Sequence, residues 1–345
     1  MTNIIITGGA GFIGSNLVRH VVDATSWNVV VLDALTYSGN LRNLEGVLDG
    51  GRCTFVHGSI TDVDAVRSVL QTYAPEYVIN CAAETHVDRS VYSMRPFVET
   101  NVLGTGILLE ESRRAGVKRF VQVSTDEVYG SLNASEPRFL PDNPLRPSSA
   151  YAASKASADL LVLADVHTHG TDAVVTRCSN NYGPYQFPEK LVPLMILNAL
   201  EHRPLPIYGD GLHIRDWIYV RDHCAGILAA LTLGIPGNVY LFGGDTERSN
   251  IEIVQRIVDL TQANQNLITY VQDRPGHDRR YAVDTDASRL TLHWQPTTQF
   301  EQGLADTVQW YIDNMQWCNI VRDGSYRQYY ENHYARLSTE GYTTQ

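Results

Sequence analysis

The chain has 345 residues, 43% hydrophobic and 19% charged, as suits a soluble globular protein larger than one ordinary domain. Its 27 Lys and Arg against 38 Asp and Glu give a net charge of −11. That balance argues against a nucleic-acid binder, so an anionic ligand must be met by local positive charge. The five cysteines, Cys53, Cys81, Cys178, Cys224 and Cys318, are odd in number and show no C-x-x-C pairing. They read as buried free thiols, with neither a disulfide framework nor a metal site expected. The N-terminus MTNIIITGG lacks a basic leader region, and no apolar run reaches the roughly 18 residues of a membrane helix. The expected location is the cytoplasm, without a membrane or nucleic-acid partner.

In chain order, β-branched runs at residues 3–7, 28–33, 54–58, 77–81, 119–124 and 173–177 predict six strands. Several are apolar throughout, as strands covered on both faces should be. Amphipathic stretches such as 12–23 and 62–73 lie between them. This alternation predicts an α/β fold with a Rossmann-type, doubly wound parallel sheet. After residue 177, loops rich in Pro and Gly become frequent, and helical patterns appear at 191–201, 223–233, 251–262 and 300–315. The expected division is a dinucleotide-binding domain over 1–177 and a smaller α/β lobe over 178–335. That lobe binds the substrate and exchanges some segments with the first domain. A polar tail occupies 336–345.

Gly8, Gly11 and Gly14 form G-x-x-G-x-x-G directly after the first strand and open a helix. Glycines there allow a tight turn and close approach of a pyrophosphate, and the helix N-terminus favours anions. Asp33 ends the second strand 22 residues after Gly11. A carboxylate there accepts from a ribose 2′-OH and repels a 2′-phosphate, favouring NAD over NADP. Tyr151 and Lys155 form Y-x-x-x-K, which puts both side chains on one helix face. A nearby ammonium together with an oxidised nicotinamide would lower the phenol pKa and make Tyr151 a base for a sugar hydroxyl. Asp126 and Glu127, in STDEVYG at the mouth of a strand, are adjacent carboxylates that repel, so one should stay protonated while the other serves as base.

The segments TGGAGFIGS, AAETHVDRS, ETNVLGT, STDEVYG, YAASK, SNNYGPYQFPEKL, PIYGDG, RDWIYVRD and RPGHDRRYA, from about residue 3 to 330, together resemble the dTDP-glucose 4,6-dehydratase family. That family lies within the extended short-chain dehydrogenase/reductase superfamily. The resemblance implies an NAD-dependent hydro-lyase acting on dTDP-glucose, with NAD tightly bound and regenerated in each turnover. Oxidation at C4 makes the C5 proton acidic, water leaves across C5 and C6, and a hydride returns to C6. It assigns catalysis to Thr125, Asp126, Glu127, Tyr151 and Lys155. Epimerases of the superfamily carry small hydroxyl residues where Asp126 and Glu127 stand.

The resemblance further implies cofactor contacts. Phe12 and Ile13 lie against the pyrophosphate, and Asp33, Ala34, Leu35 and Thr36 contact the adenosine. Ser59 and Ile60 sit near the adenine, Ala82, Ala83 and Thr100 along the nicotinamide side, and Asn181 also faces the cofactor. Substrate contacts fall to Glu84, His86, Asn180, Lys190, Leu191, Pro206, Ile207, Tyr208, Arg215, Asn250, Arg274, His277 and Tyr281. The two arginines are the expected diphosphate forks. Helices around 96–115 and 149–169 resemble those of a four-helix homodimer interface. A UDP-glucose dehydratase stays open as an alternative, because thymine and uracil differ by one methyl, worth about 1 kcal/mol when buried. So do an epimerase or decarboxylase and, from a different class, a non-catalytic NAD-binding regulator.

Overall fold

The structure, a computed structural model, describes residues 2–322; the expected tail at 336–345 lies outside the described residues. Twelve strands are β1 (Asn3–Thr7), β2 (Asn28–Asp33), β3 (Cys53–His57), β4 (Tyr77–Asn80), β5 (Arg119–Thr125), β6 (Ala173–Cys178), β7 (Asn180–Tyr182), β8 (Leu205–Tyr208), β9 (Ile214–Tyr219), β10 (Val239–Phe242), β11 (Glu247–Ser249) and β12 (Ile268–Val271). Seven of them form one sheet in the order β10-β6-β5-β4-β1-β2-β3, and every pairing in it is parallel. Ile4, Ile6, Val29, Val31 and Val121 fill the core on one face; Ile5, Val30, Leu32, Val78 and Phe120 fill it on the other. Two buried faces explain why these strands read as unbroken apolar runs.

The strand order reverses between β1 and β4, so the loops after them diverge and leave a crevice at their C-terminal ends. A buried polar network lies just below. The Thr7 hydroxyl donates to Asn80 Oδ1 (2.6 Å), and Asn80 Nδ2 donates to Thr105 (3.0 Å) and to Gln122 Oε1 (2.9 Å). The network ties β1, β4 and β5 side by side, although Gln122 Nε2 is buried without a hydrogen-bond partner.

The chain does not keep to a boundary at residue 177. Helix Val220–Leu233 returns to the sheet, and β10 pairs with β6 as its edge strand. Ile227, Tyr240 and Phe242 join the same core as Ile4 and Val31. The smaller lobe consists of β7-β9-β11, the β8-β12 pair and helices Leu191–Leu200, Asn250–Thr261 and Phe300–Asp313 around a separate core. Helix Phe300–Asp313 stops two residues short of the pattern expected to reach 315, and a second helix, Met315–Val321, follows Asn314. Around Thr100, residues Val98–Gly104 form wide, π-helical turns inside the helix expected at 96–115.

Helix Ala150–His169 is anchored by an ion pair with no access to water. Arg177 Nε lies 2.9 Å from Asp159 Oδ2, with side chains 3% and 0% exposed. Arg177 also donates to the Tyr129 hydroxyl (2.6 Å), tying this helix to the turn that carries the acid pair. Removing one partner strands a buried charge. Asp159→Ala is therefore expected to cost about 3–5 kcal/mol in denaturant unfolding, whereas breaking an exposed pair such as Arg95–Glu99 should change stability little.

Candidate active site

The crevice at the strand reversal is a continuous cleft. Gly8, Gly11, Phe12, Ile13, Gly14, Asp33, Ala34, Thr36, Ser59, Ile60, Ala82, Ala83, Thr100 and Asn181 line it on the expected cofactor side. Leu35 stands outside the lining; its backbone N–H donates to Asp33 Oδ1 (2.8 Å). The glycine loop has no spare room. A Cβ on Gly14 would stand 2.1 Å from the Gly8 carbonyl oxygen, and Gly8 itself holds φ +65°. On Gly11, which faces the cleft, the nearest atom would be 3.3 Å away. Asp33 Oδ2 accepts from the Ala10 N–H (2.9 Å), which closes the loop on the end of β2. A tight turn, the first turn of a helix and a carboxylate at the next strand end suit a dinucleotide. The Asn181 side chain is committed elsewhere: its Oδ1 accepts from His223 Nδ1 (2.9 Å), and burial pushes that imidazole down to about 3. Asn181 therefore reaches the cleft through a side chain already held from behind.

Thr125, Asp126, Glu127, Tyr151 and Lys155 line the same cleft, beside Glu84, Asn180 and Lys190. The Thr125 hydroxyl caps the short turn Asp126–Tyr129 by accepting from the Glu127 N–H (3.3 Å). Both acids are pushed up, to different degrees. Asp126 is 2% exposed, and its Oδ2 is buried without a hydrogen-bond partner. Burial, then Glu127, then Asp216 hold it well above the usual carboxylate range. Burial also raises Glu127, but Arg274, Lys190 and Arg215 counter it. Asp126 thus keeps its proton more firmly, and Glu127 is the carboxylate that ionises.

For Tyr151 the sequence-based expectation called on both the Lys155 ammonium and a nicotinamide charge, and the chain itself supplies only the first. Burial and the Glu127 carboxylate push its phenol well above its ordinary range, and Thr125 hydrogen-bonds it. Lys155 does not offset this: its Nζ donates to the Val123 carbonyl (2.7 Å), and burial lowers its own affinity for a proton. The chain's own charges do not lower the phenol, so an additional positive charge is required.

Of the remaining predicted residues, Tyr208, Arg215, Asn250, Arg274, His277 and Tyr281 form a second cluster outside the cleft lining. Arg215 lies 4.4 Å from the centroid of the Tyr281 ring and donates to the Ile214 and Asp278 carbonyls. Arg274 Nη1 is 3.0 Å from Asp88 Oδ1. The His277 ring stacks on His213 at 3.7 Å, and Asp273 lies 2.6 Å from His277 Nδ1. The donor atoms of His213, Asp273 and His277 approach one another within 4.8 Å, an arrangement no sequence motif announces. Burial opposes protonation of both imidazoles; Arg215 and Arg274 add to it at His277, and Arg215 and Arg279 at His213, where Asp273 counters them. The Asn250 N–H donates to the His213 carbonyl (2.9 Å), and Tyr208 joins the cluster through Asp88. Pro206 and Ile207, expected to frame the base, are both buried in β8, with Ile207 inside the smaller lobe's core. Leu191 likewise packs on that core.

A model of the GDP-mannose 4,6 dehydratase family matches residues 5–307. A dTDP-glucose 4,6-dehydratase from Neisseria meningitidis is 48% identical over 347 residues, covering 95% of this chain and 98% of the relative. The chain belongs to the dTDP-glucose 4,6-dehydratase family. Two solved members share its fold. One from Streptomyces venezuelae, with NAD bound, is 44% identical with a TM-score of 0.90, covering 93% of this chain and all of that one. Another from Bacillus anthracis, in complex with NAD, is 45% identical with a TM-score of 0.87 over the same shares.

Three polar side chains escaped the sequence reading. Asp216 is fully buried, burial pushes it up to about 6, and it faces Asp126. Tyr37 donates to Glu189 Oε1 (3.0 Å), and His86, expected to touch substrate or to make an internal hydrogen bond, stands 3.1 Å from Glu189 Oε2. Glu189 lines the cleft with a side chain only 3% exposed, and burial raises it to about 7. The charge sign next to a buried strand hints at Asp216; nothing local marks Glu189. A carboxyl whose folded pKa is raised favours the folded state below its unfolded pKa, and this contribution is lost as pH rises through the folded value. Between about pH 4.3 and pH 7, stability should therefore fall by roughly 3 kcal/mol on this account. Glu189→Gln should flatten that fall in urea titrations across the window; an unchanged slope would refute it.

Proposed function

We propose that the chain is an NAD-dependent dTDP-glucose 4,6-dehydratase. The observation that carries the reading is the Asp126-Glu127 pair at the end of β5, Asp126 buried and Glu127 half-buried, in one cleft with Tyr151, Lys155 and the glycine loop. Gly8, Gly11, Gly14, Phe12, Ile13 and Asp33 would hold NAD, with Lys155 at the nicotinamide ribose. When bound, an oxidised nicotinamide supplies a positive charge beside the Tyr151 phenol and a hydride acceptor for sugar C4.

Thr125 orients the C4 hydroxyl, and the Tyr151 phenolate takes its proton. A C4 ketone makes the C5 proton acidic, so Glu127 can remove it. Asp126 gives its proton to the C6 hydroxyl, which leaves as water. Glu127 then returns a proton to C5 as C6 is reduced. The split between the acids does the work: a pair ionised together would have no proton to give the leaving hydroxyl. Arg215 and Arg274 supply the positive charge for the diphosphate in an otherwise acidic protein. An epimerase has no step needing both an acid and a base at C5 and C6, and a silent regulator would not need the pair.

Asp126→Asn with Glu127→Gln tests this. After mixing with dTDP-glucose, C4 oxidation should survive, seen as reduced nicotinamide absorbance, while loss of one water by mass spectrometry drops at least about 10²–10⁴-fold. Normal dehydration would end the assignment. Running UDP-glucose in parallel decides the base, since one methyl separates the two substrates.

The reading extends to a homodimer. Met94, Val98 and Leu103 on one helical segment and Leu160 and Leu161 on helix Ala150–His169 are exposed apolar side chains, Leu103 by 55% and Leu160 by 57%. Two copies joined through these helices would cover them in an isologous four-helix interface. Leu103→Asp with Leu160→Asp should convert a dimer to a monomer in light scattering. A monomeric unaltered protein would refute the interface. Five free cysteines, four of them buried, suit a reducing compartment, and we place the enzyme in the cytoplasm on that basis.

A further inference from the structure

We propose that Asp88 is the positioning residue of the diphosphate site, holding Arg274 and Tyr208 in place from across the cleft. The inference rests on the nucleotide-sugar reading above and adds a residue to it.

Asp88 belongs to helix Val87–Tyr92, which follows β4 in the main sheet. Its two carboxylate oxygens reach the other lobe. Oδ1 is 3.0 Å from Arg274 Nη1, and Oδ2 accepts from the Tyr208 hydroxyl at 3.1 Å. Tyr208 ends β8 opposite Val271 of β12, and Arg274 follows three residues later, so one carboxylate secures the ends of both strands. The contact is shielded, with side chains 11% and 14% exposed for Asp88 and Arg274. A pair this sheltered is held far more firmly than a surface pair.

The geometry of the guanidinium points to positioning. Asp88 takes Nη1, at one corner of the fork. Arg274 Nε, on the opposite side, is buried without a hydrogen-bond partner. A buried donor left unmade is costly, and an anion is the partner that Arg accepts best in this direction. Arg274 already faces Arg215 and Glu127 in the cluster beyond the cleft. Ordering the long arginine side chain before the ligand arrives removes an entropy cost from binding. Were Asp88 instead a competitor occupying the guanidinium, its neutralisation would tighten anion binding, the opposite sign.

The test is Asp88→Asn, which keeps shape and removes charge. Calorimetry with dTDP should show Kd rising about tenfold, while Kd for thymidine, which lacks phosphates, stays within about twofold. KM for dTDP-glucose should rise with kcat nearly unchanged. In an Arg274→Lys background the same substitution should add less than about twofold, because Asp88 acts through that guanidinium. Tighter or unchanged dTDP binding, equal losses for dTDP and thymidine, or full additivity with Arg274→Lys would each overturn the proposal. A melting curve matching the unaltered enzyme guards against a folding defect; if Asp88→Asn melts early, Tyr208→Phe, which deletes only the hydroxyl contact, must show the same dTDP-selective loss or the proposal fails. If the unaltered enzyme binds no dTDP, the nucleotide-sugar reading falls, and the role of Asp88 with it.

Discussion

Everything at this site depends on burying two adjacent carboxylates without letting them behave alike. Asp126 and Glu127 share a backbone turn and a low-dielectric setting, so the sheet that carries them cannot tell them apart. The smaller lobe does. Lys190, Arg215 and Arg274 all lie beyond residue 178 and act on Glu127, while Asp216 of the same lobe opposes ionisation of Asp126. Arg215 also acts on Asp126 and Asp278 on Glu127, so the split rests on the balance of nearby charge, more cationic at Glu127 and more acidic at Asp126. Lobe placement is part of the chemistry.

The fold makes that placement reproducible. Strand order reverses beside β1, so glycine loop, Ala82 and acid pair open onto one crevice. The Thr7-Asn80-Gln122 network fixes the three central strands beneath it, and the Arg177–Asp159 pair fixes the helix bearing Tyr151 and Lys155. These buried polar contacts tolerate little movement, since any displacement leaves a donor or charge unmatched. The smaller lobe is connected differently. Its chain returns to the main sheet through Val220–Leu233 and β10, so the two lobes share a core on one side and face each other across the cleft on the other.

Local chemistry was legible in the sequence; long-range placement was not. Strands β1 and β2 fall where the β-branched runs end, because a strand buried on both faces leaves an unbroken apolar signal. The glycine loop, Asp33 and the acid pair stand out because each needs a rare residue type at a fixed offset. Strand β10 did not stand out: VYLF is only four residues long, and its partner β6 lies some sixty residues earlier. The helix break at Asn314 was hidden because apolar residues continue on both sides of it. Glu189 and Asp88 look like ordinary charged residues until partners more than a hundred positions away meet them.

Tyr151 shows why such a site needs more than its own residues. Burial and the nearby Glu127 carboxylate both favour the neutral phenol, and the Lys155 ammonium is engaged with a backbone carbonyl. Left to the chain's charges, the phenol is a poor base. Its proton becomes easy to remove only beside an added positive charge, so oxidation at C4 is confined to the moment when that charge is present. The same Glu127 charge that discourages phenolate formation is the base for the next step. In the proposed sequence the phenolate becomes neutral when it takes the C4 hydroxyl proton, and from then on a charged Glu127 no longer faces a second anion. C4 comes first because only the ketone makes the C5 proton acidic, and the loss of the phenolate charge leaves Glu127 free to act next.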